Sequence, residues 1–378
     1  MRLIAPFGFY GWGNIGDEAT LQGFARLVAR CDPSGTKWIG SRDPEHTAKA
    51  EPAFRYFKAQ ESGLRRWWAN RRAQGAVFVG GTPIMDILGR WPLSEVVPLA
   101  IGQASRRTPV AFVGIGTERL HREESRRFIT TELVPRVRHW SVRSPRDRDR
   151  LLACGVEDRR VTVAADLAWT LDASVDGDRQ APACLLPRAG ELIVGVNVTN
   201  EQFVADRAPR IFEVLAQLLD RLVERFGARV VFFCNEIREE ESFDKAASGR
   251  VIAQMRRPER AAILPNDYRT PGQMMGLIGK CQLAIGMRYH FCLFAAIQGV
   301  PFIAIKRSDK VVDLCEDLSW TYGVGLDQLE ALHLEELAAE LLSDPPRATS
   351  ALRDRVAPMR ERVWLNRISL DALRREQA

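Results

Sequence analysis

The chain is short of the features that would commit a protein to export, to a membrane or to a bound metal. Its seven cysteines (31, 154, 184, 234, 281, 292 and 315) are odd in number, widely spaced and form no CxxC pair, which argues against a disulfide framework and against a structural zinc site. The most apolar long window, Leu283 to Ile305, is interrupted by Arg288, His290 and Pro301, so it reads as strand, helix, strand and excludes a spanning helix. The opening MRLIAPFG has neither the apolar stretch nor the small-residue cleavage pattern of a signal peptide, so the reducing cytoplasm is the expected compartment. Lysine is scarce as well: of 54 basic residues seven are Lys, which leaves 47 Arg. With a net charge of +6, that imbalance fits arginines scattered over solvated faces by coding bias, plus a few used for planar recognition of phosphates and carboxylates. No nucleic-acid-binding motif accompanies the charge.

What is present is an ordinary globular composition, 46% hydrophobic and 27% charged, spread over 378 residues, a length that suits two domains and a cleft. Short apolar runs alternate with amphipathic stretches, the pattern of a parallel α/β sheet with crossover helices. The first half predicts strands at Arg2–Phe7, Thr36–Ile39, Ala76–Val79, Val110–Val113, His139–Val142 and Val161–Ala164. Its helices are expected at Asp17–Arg30, Ser94–Ser105, Arg122–Val137 and Pro145–Cys154, the last capped by Ser144. Periodicity fails between Asp172 and Gly190, a linker that places the domains at 1–175 and 190–378. The second series predicts strands at Leu192–Val196, Arg229–Cys234, Ala261–Leu264, Leu283–Gly286 and Phe302–Ile305, with helices at Ala208–Phe226, Ile237–Met255, Pro271–Lys280, Phe291–Gln298 and Lys310–Leu318. Two Rossmann-like domains facing across a cleft follow, with ligands at the carboxyl ends of the strands. The basic helical stretch Leu352–Arg375 is expected to pack back on the first domain.

The loop GWGNIG, Gly11 to Gly16, matches the dinucleotide fingerprint G-x-G-x-x-G and sits between a strand and a helix. Asp17 and Glu18 oppose that reading, because carboxylates at a helix N-terminus repel the pyrophosphate the fingerprint would hold. The acidic residue expected about twenty positions on also has no clear counterpart, Asp32 being early and Asp43 late.

The longer string GFYGWGNIGDEATLQGF resembles the opening of the polysaccharide pyruvyltransferase family, with its strand, GxxNxGDEA loop and helix. VFVGGTPIMD (Val77–Asp86), FVGIGTERL, SVRSPRDRDRLLACGV (Ser141–Val156) and VTVAADLAWTL resemble its following blocks in order. CQLAIGMRYHFCLFAAIQGVPFIAI followed by SDKVVDL resembles its strand-helix-strand block and the lysine after it. The chain departs from the pattern at Thr82, where a third glycine is common, at Ser144, where Asp is common, at Tyr289 in place of Leu, and in KRSDK.

That resemblance implies a GT-B-like arrangement and transfer of pyruvate from phosphoenolpyruvate onto two hydroxyls of a sugar in a bacterial polysaccharide or its lipid-linked precursor. A cyclic ketal and phosphate are the products, and no cofactor or metal is called for. The first domain becomes the acceptor side and the second the donor side. Phosphoenolpyruvate is a small trianion, so fixed cations and a proton-transfer group are required. Arg288 and His290, two residues apart at a strand-to-helix junction, are assigned to the donor's anionic groups and to proton transfer, with backbone donors from Tyr289 onward and Lys310 as a second phosphate contact. A structural ion pair for Arg288 and a capping or core role for His290 are the alternatives. In the first domain Asn14 and Asp17 are candidates for orienting the acceptor or a catalytic group, or else for an Asn-favoured turn and a helix cap. Arg143 is expected to reach the cleft or to pair with Asp147. Asp166 is a site or turn residue, and Gly80 and Gly81 permit close backbone approach to a ligand or to a neighbouring strand. Two further functions stay open: a GT-B glycosyltransferase using a nucleotide sugar, and a degenerate member that binds a glycan or anion without turnover. The segment SGLRRWWANRR (Ser62–Arg72) suits peripheral contact with the inner membrane face, or a domain helix with buried Trp and solvated Arg.

Overall fold

The computed structural model describes the whole chain except residues 60–63, 96, 99–107, 175–181, 187–189, 239, 241–242 and 375–378, and it leaves the side chains of residues 65 and 66 undescribed. It divides into two compact units, Met1–Leu171 with Met359–Ala378, and Asp172–Pro358. The expected helix Ser94–Ser105 and linker Asp172–Gly190 fall largely outside the described residues, as do Ser62 and Gly63 of the basic aromatic segment.

Both units are α/β with wholly parallel sheets, as the alternation of apolar runs and helical periodicity predicts. The first holds seven strands, β1 (Leu3–Ala5), β2 (Lys37–Ser41), β3 (Arg55–Lys58), β4 (Gly75–Val79), β5 (Val110–Ile115), β6 (Val137–Val142) and β7 (Val161–Val163), in the order 3-2-1-4-5-6-7. Its central strands are buried on both faces: Ala76 and Phe78 point into one core layer while Val77 and Val79 point into the other, as β4 alternates. Phe78, Phe112 and Trp140 stack across β4, β5 and β6 with centroids 5.3 and 4.4 Å apart. The chain's last described residues close this unit. Asn366 donates to the Ala165 carbonyl and accepts from Ser141, Ser369 donates to the Phe112 carbonyl, and helix Arg367–Ala372 covers β5 and β6.

The second unit has six strands, β8 (Ile193–Asn197), β9 (Arg229–Phe232), β10 (Ala261–Ile263), β11 (Leu283–Gly286), β12 (Phe302–Lys306) and β13 (Gly323–Gly325), ordered 10-9-8-11-12-13. Two strands escape the sequence reading. β3 is an edge strand of four residues with both end side chains exposed, and β13 has three residues of which two are glycine, so neither offers an apolar run. The helix expected from Ile237 begins instead at Asp244, and the one expected over Arg122–Val137 ends in a wide turn at Ile129–Leu133 before β6 starts. Ser144 caps helix Pro145–Ala153 as anticipated, in a reciprocal box with Asp147. No described helix is long and apolar enough to cross a membrane, and all seven cysteines are free thiols.

Candidate functional site

In each unit the candidate residues gather at the carboxyl ends of parallel strands, where chain direction and crossover helices leave loops and helix N-termini exposed. In the second unit the organising residue is Asn197, which ends β8. Its side-chain amide donates to the Phe233 carbonyl at 2.9 Å and to Asp244 at 3.0 Å, and its carbonyl oxygen accepts the backbone N–H of Arg288 at 3.0 Å. Asp244, fully buried as the first residue of its helix, also accepts from the backbone of Asn235 at 2.8 Å.

The Arg288 guanidinium lies in this pocket of acceptors. Nε and Nη2 donate to the same Asp244 oxygen at 3.0 and 2.8 Å, Nη1 meets Glu201 at 3.3 Å, and Nη2 reaches the Thr199 hydroxyl at 3.2 Å. Glu201 is shared with Arg307, whose Nε donates to the Met287 carbonyl at 3.0 Å. Two guanidinium groups and two carboxylates thus cancel, and Arg288 is engaged on all three nitrogens. The alternative of a structural ion pair for Arg288 describes this geometry directly; a donor anion would have to displace the half-buried Glu201 to reach the guanidinium.

His290 follows in the first turn of helix Tyr289–Gln298, which carries no side-chain cap. Its half-buried ring sits edge-on to Tyr289 at 5.0 Å and tilted against Phe294 at 6.1 Å. Lys310 stands in the first turn of helix Asp309–Asp317, after β12. Because β11 and β12 are paired neighbours, Gly286 opposite Ala304, the helix starts carrying His290 and Lys310 follow adjacent strands that run in the same direction.

In the first unit the structure joins two predicted residues that are 23 positions apart. Arg143, after β6, places Nη1 3.0 Å from Asp166, after β7, and Nη2 3.2 Å from the Thr82 hydroxyl. The expected pair with Asp147 does not form, because that carboxylate is taken by the amide and hydroxyl of Thr117 and by the Ser144 amide. Space for the guanidinium comes from Gly116, where a Cβ would stand 1.7 Å from Arg143 Nη2. Asp166 also caps the turn Leu167–Thr170, so its turn role and its pairing role coexist. Gly80 and Gly81 both take φ near +60°, at 62° and 66°. Their close neighbours are Thr20 on helix Ile15–Cys31 and the ring of Phe9, where a neighbouring strand was one of the expectations.

The opening loop is held by its own side chains. Asn14 accepts from the Gly16 amide at 2.9 Å as helix cap, and Glu18 accepts from the Gly11 amide at 2.7 Å. Those are amides a pyrophosphate would need, so the fingerprint G-x-G-x-x-G here serves the loop's own fold. Asp17 stands half-buried beside them, close enough that its charge, after burial, helps push the Tyr10 hydroxyl up.

Glu18 is the residue that the sequence reading passed over, having taken it only as a charge at a helix end. It is buried, and burial lifts its carboxyl from 4.5 to about 7, with the Gly11 amide opposing and Asp43 adding to the rise. A raised acid holds its proton in the folded state where the unfolded chain has released it, so stability declines as pH climbs from 4.5 to about 7. Glu18→Gln keeps an acceptor for Gly11 and removes the titration. Urea unfolding should find the two chains similar near pH 5 and the wild type less stable by about 3 kcal/mol near pH 8. An equal gap at both values would show that this carboxyl does not titrate in the window.

Asn197, Asp244, Glu201 and Arg307 were also missed. Asn197 carries a faint signal, a polar residue ending an apolar strand; Asp244 carries none, since the helix was expected to begin seven residues before it.

A sequence profile of the polysaccharide pyruvyl transferase family matches residues 14–309, which takes in Asn14, Asp17, Arg143, Asp166, Arg288 and His290. No curated protein sequence matches the chain. Among solved structures it is similar to HepE of Anabaena in complex with UDP and glucose, at a TM-score of 0.61 and 12% identity over 100% of both chains. It is also similar to a glycosyltransferase from Rickettsia africae, at a TM-score of 0.64 and 11% identity over 99% of this chain and 97% of that one. A third likeness is to UDP-GlcNAc 2-epimerase from Neisseria meningitidis bound to UDP-GlcNAc, at 0.65 and 9% over 100% of both. At such identities the likeness is one of fold, a GT-B-like α/β architecture.

Proposed function

The chain belongs to the polysaccharide pyruvyl transferase family, and from that premise we propose that it moves a pyruvyl group from phosphoenolpyruvate to two hydroxyls of one sugar in a bacterial polysaccharide or its lipid-linked precursor, at the inner face of the membrane. The observation that carries this is the position of His290 and Lys310 in the first turns of two helices that follow adjacent strands of one sheet, the first of these helices without a side-chain cap. Lysine and helix amides suit a phosphate ester, and imidazole suits proton movement.

The reaction needs only proton transfers and charge stabilisation. A proton added to the donor's methylene carbon makes C2 electrophilic, and the first hydroxyl attacks it and gives up its proton. The C2–O bond to phosphate then breaks, the second hydroxyl closes the ring at C2, and its proton leaves with the phosphate. One proton enters carbon and two leave hydroxyls, so the balance closes with ketal and phosphate. We assign His290 to the methylene proton and Lys310 to the leaving phosphate. Arg288 acts through the Asn197–Asp244 pocket that sets the strand-to-helix junction and so aims His290. Acceptor hydroxyls are assigned to the first unit, with Asn14, Asp17, Arg143, Asp166 and the backbone at Gly80 and Gly81 as its candidates.

A glycosyltransferase reading is favoured by one observation, that the similar HepE and Neisseria structures hold UDP or a UDP-sugar. Purified protein with phosphoenolpyruvate and a panel of glycosides should release phosphate and yield acid-labile ketal. Absence of release together with absence of donor binding by calorimetry overturns the proposal. Thermal stabilisation by UDP but not by phosphoenolpyruvate would favour glycosyl transfer.

A further inference from the structure

At the opposite, amino-terminal edge of the first sheet lies a depression of about 300 Å³ that the reaction does not use. It is bordered by Arg2, Trp38 and Arg55, from the starts of β1, β2 and β3, and by Leu64, Trp68 and Arg72 of helix Leu64–Arg72. Three of the eight large hydrophobic side chains exposed among the described residues belong to this one short helix: Leu64, Trp67 and Trp68, at 83, 56 and 45%. Arginines stand beside the tryptophans. Arg72 lies over the Trp68 ring at 3.2 Å, Arg71 over Trp67 at 5.6 Å and Arg55 over Trp38 at 5.6 Å, while Arg2 donates to the Arg72 carbonyl at 2.9 Å. None of these four guanidinium groups forms a salt bridge with a described residue, in contrast to the exposed Arg159, Arg210 and Arg257, which pair with neighbouring carboxylates.

Exposed Trp and Leu cost free energy in water, and so does a cluster of cations with no counter-charge among the described residues. One environment relieves both: the interface of an anionic bilayer, where indole rings settle at headgroup depth and guanidinium groups meet lipid phosphates. We propose that this edge docks the protein on a bilayer of anionic phospholipid, with a headgroup phosphate in the depression between Arg2, Arg55 and Arg72 and the side chains of Leu64, Trp67 and Trp68 in the interface. The loops at the carboxyl ends of the same sheet stay clear of the lipid. This deepens the proposed function by naming the surface at which a lipid-linked acceptor is met, and it rests on that reading only for the acceptor.

The test is sedimentation of the full chain with vesicles of phosphatidylcholine alone or mixed with phosphatidylglycerol, which reads binding without turnover. The wild type should pellet with the mixed vesicles and stay in solution with the neutral ones. Arg2→Gln, Arg55→Gln and Arg72→Gln combined should weaken binding about a hundredfold, at about fivefold per cation. Trp67→Ser with Trp68→Ser should weaken it too, while thermal melting shows both variants folded. The inference is overturned if the wild type stays in solution with anionic vesicles, if the triple variant binds as the wild type does, or if duplex DNA at the same salt removes the protein from vesicles completely. Phosphate release in solution is scored separately, so failure of docking and failure of the pyruvyl transfer reading remain distinguishable.

Discussion

Replacing His290 with alanine should lower kcat by about 10²- to 10⁴-fold and leave the KM for phosphoenolpyruvate nearly unchanged. Proton delivery to a carbon is made only in the transition state, so its loss appears in turnover and hardly in ground-state binding. The ring is half-buried against Tyr289 and Phe294, and the variant should still fold, as a melting curve can establish. Lys310→Ala should show the complementary pattern, a raised KM for the donor with a smaller loss of kcat. Unchanged kcat in His290→Ala would remove the residue from the chemistry, and a rise in KM alone would exchange the two roles.

Arg288→Ala should act first on the fold. It deletes the cation that offsets Asp244, a carboxylate with no solvent exposure, and breaking a buried pair of this kind costs about 3–5 kcal/mol. The Asn197 and Asn235 contacts to Asp244 remain, so the chain should still fold, with a lower urea midpoint. Arg288→Lys retains the charge but cannot span Asp244, Glu201 and Thr199 at once, and should fall between. A variant of wild-type stability whose only defect is weak donor binding would return Arg288 to direct contact with the donor.

The contrast between these neighbours shows what was legible beforehand. Their position at a strand-to-helix junction followed from the apolar run Leu283–Gly286 and the helical pattern after it. Which of them is committed to an ion pair did not, because the carboxylates that claim Arg288 lie 44 and 87 positions away in sequence. Arg143 was equally ambiguous: its local partner by spacing was Asp147, yet the pair formed is with Asp166 in the turn after the next strand. Glu18 was hidden for another reason, since its raised acidity comes from burial beneath the opening loop, which a charge pattern cannot report.

By itself the sequence determined the class of fold, the strands and helices with strong periodicity, the Ser144 cap and the family, since these depend on patterns within about twenty residues or on ordered motifs. Tertiary structure alone decided which charges cancel, which glycines lie against a helix or an aromatic ring, and where exposed tryptophans collect with arginines that have no described carboxylate partner. Those outcomes depend on desolvation and on distances between segments remote in the chain, and both exist only after the sheets have assembled.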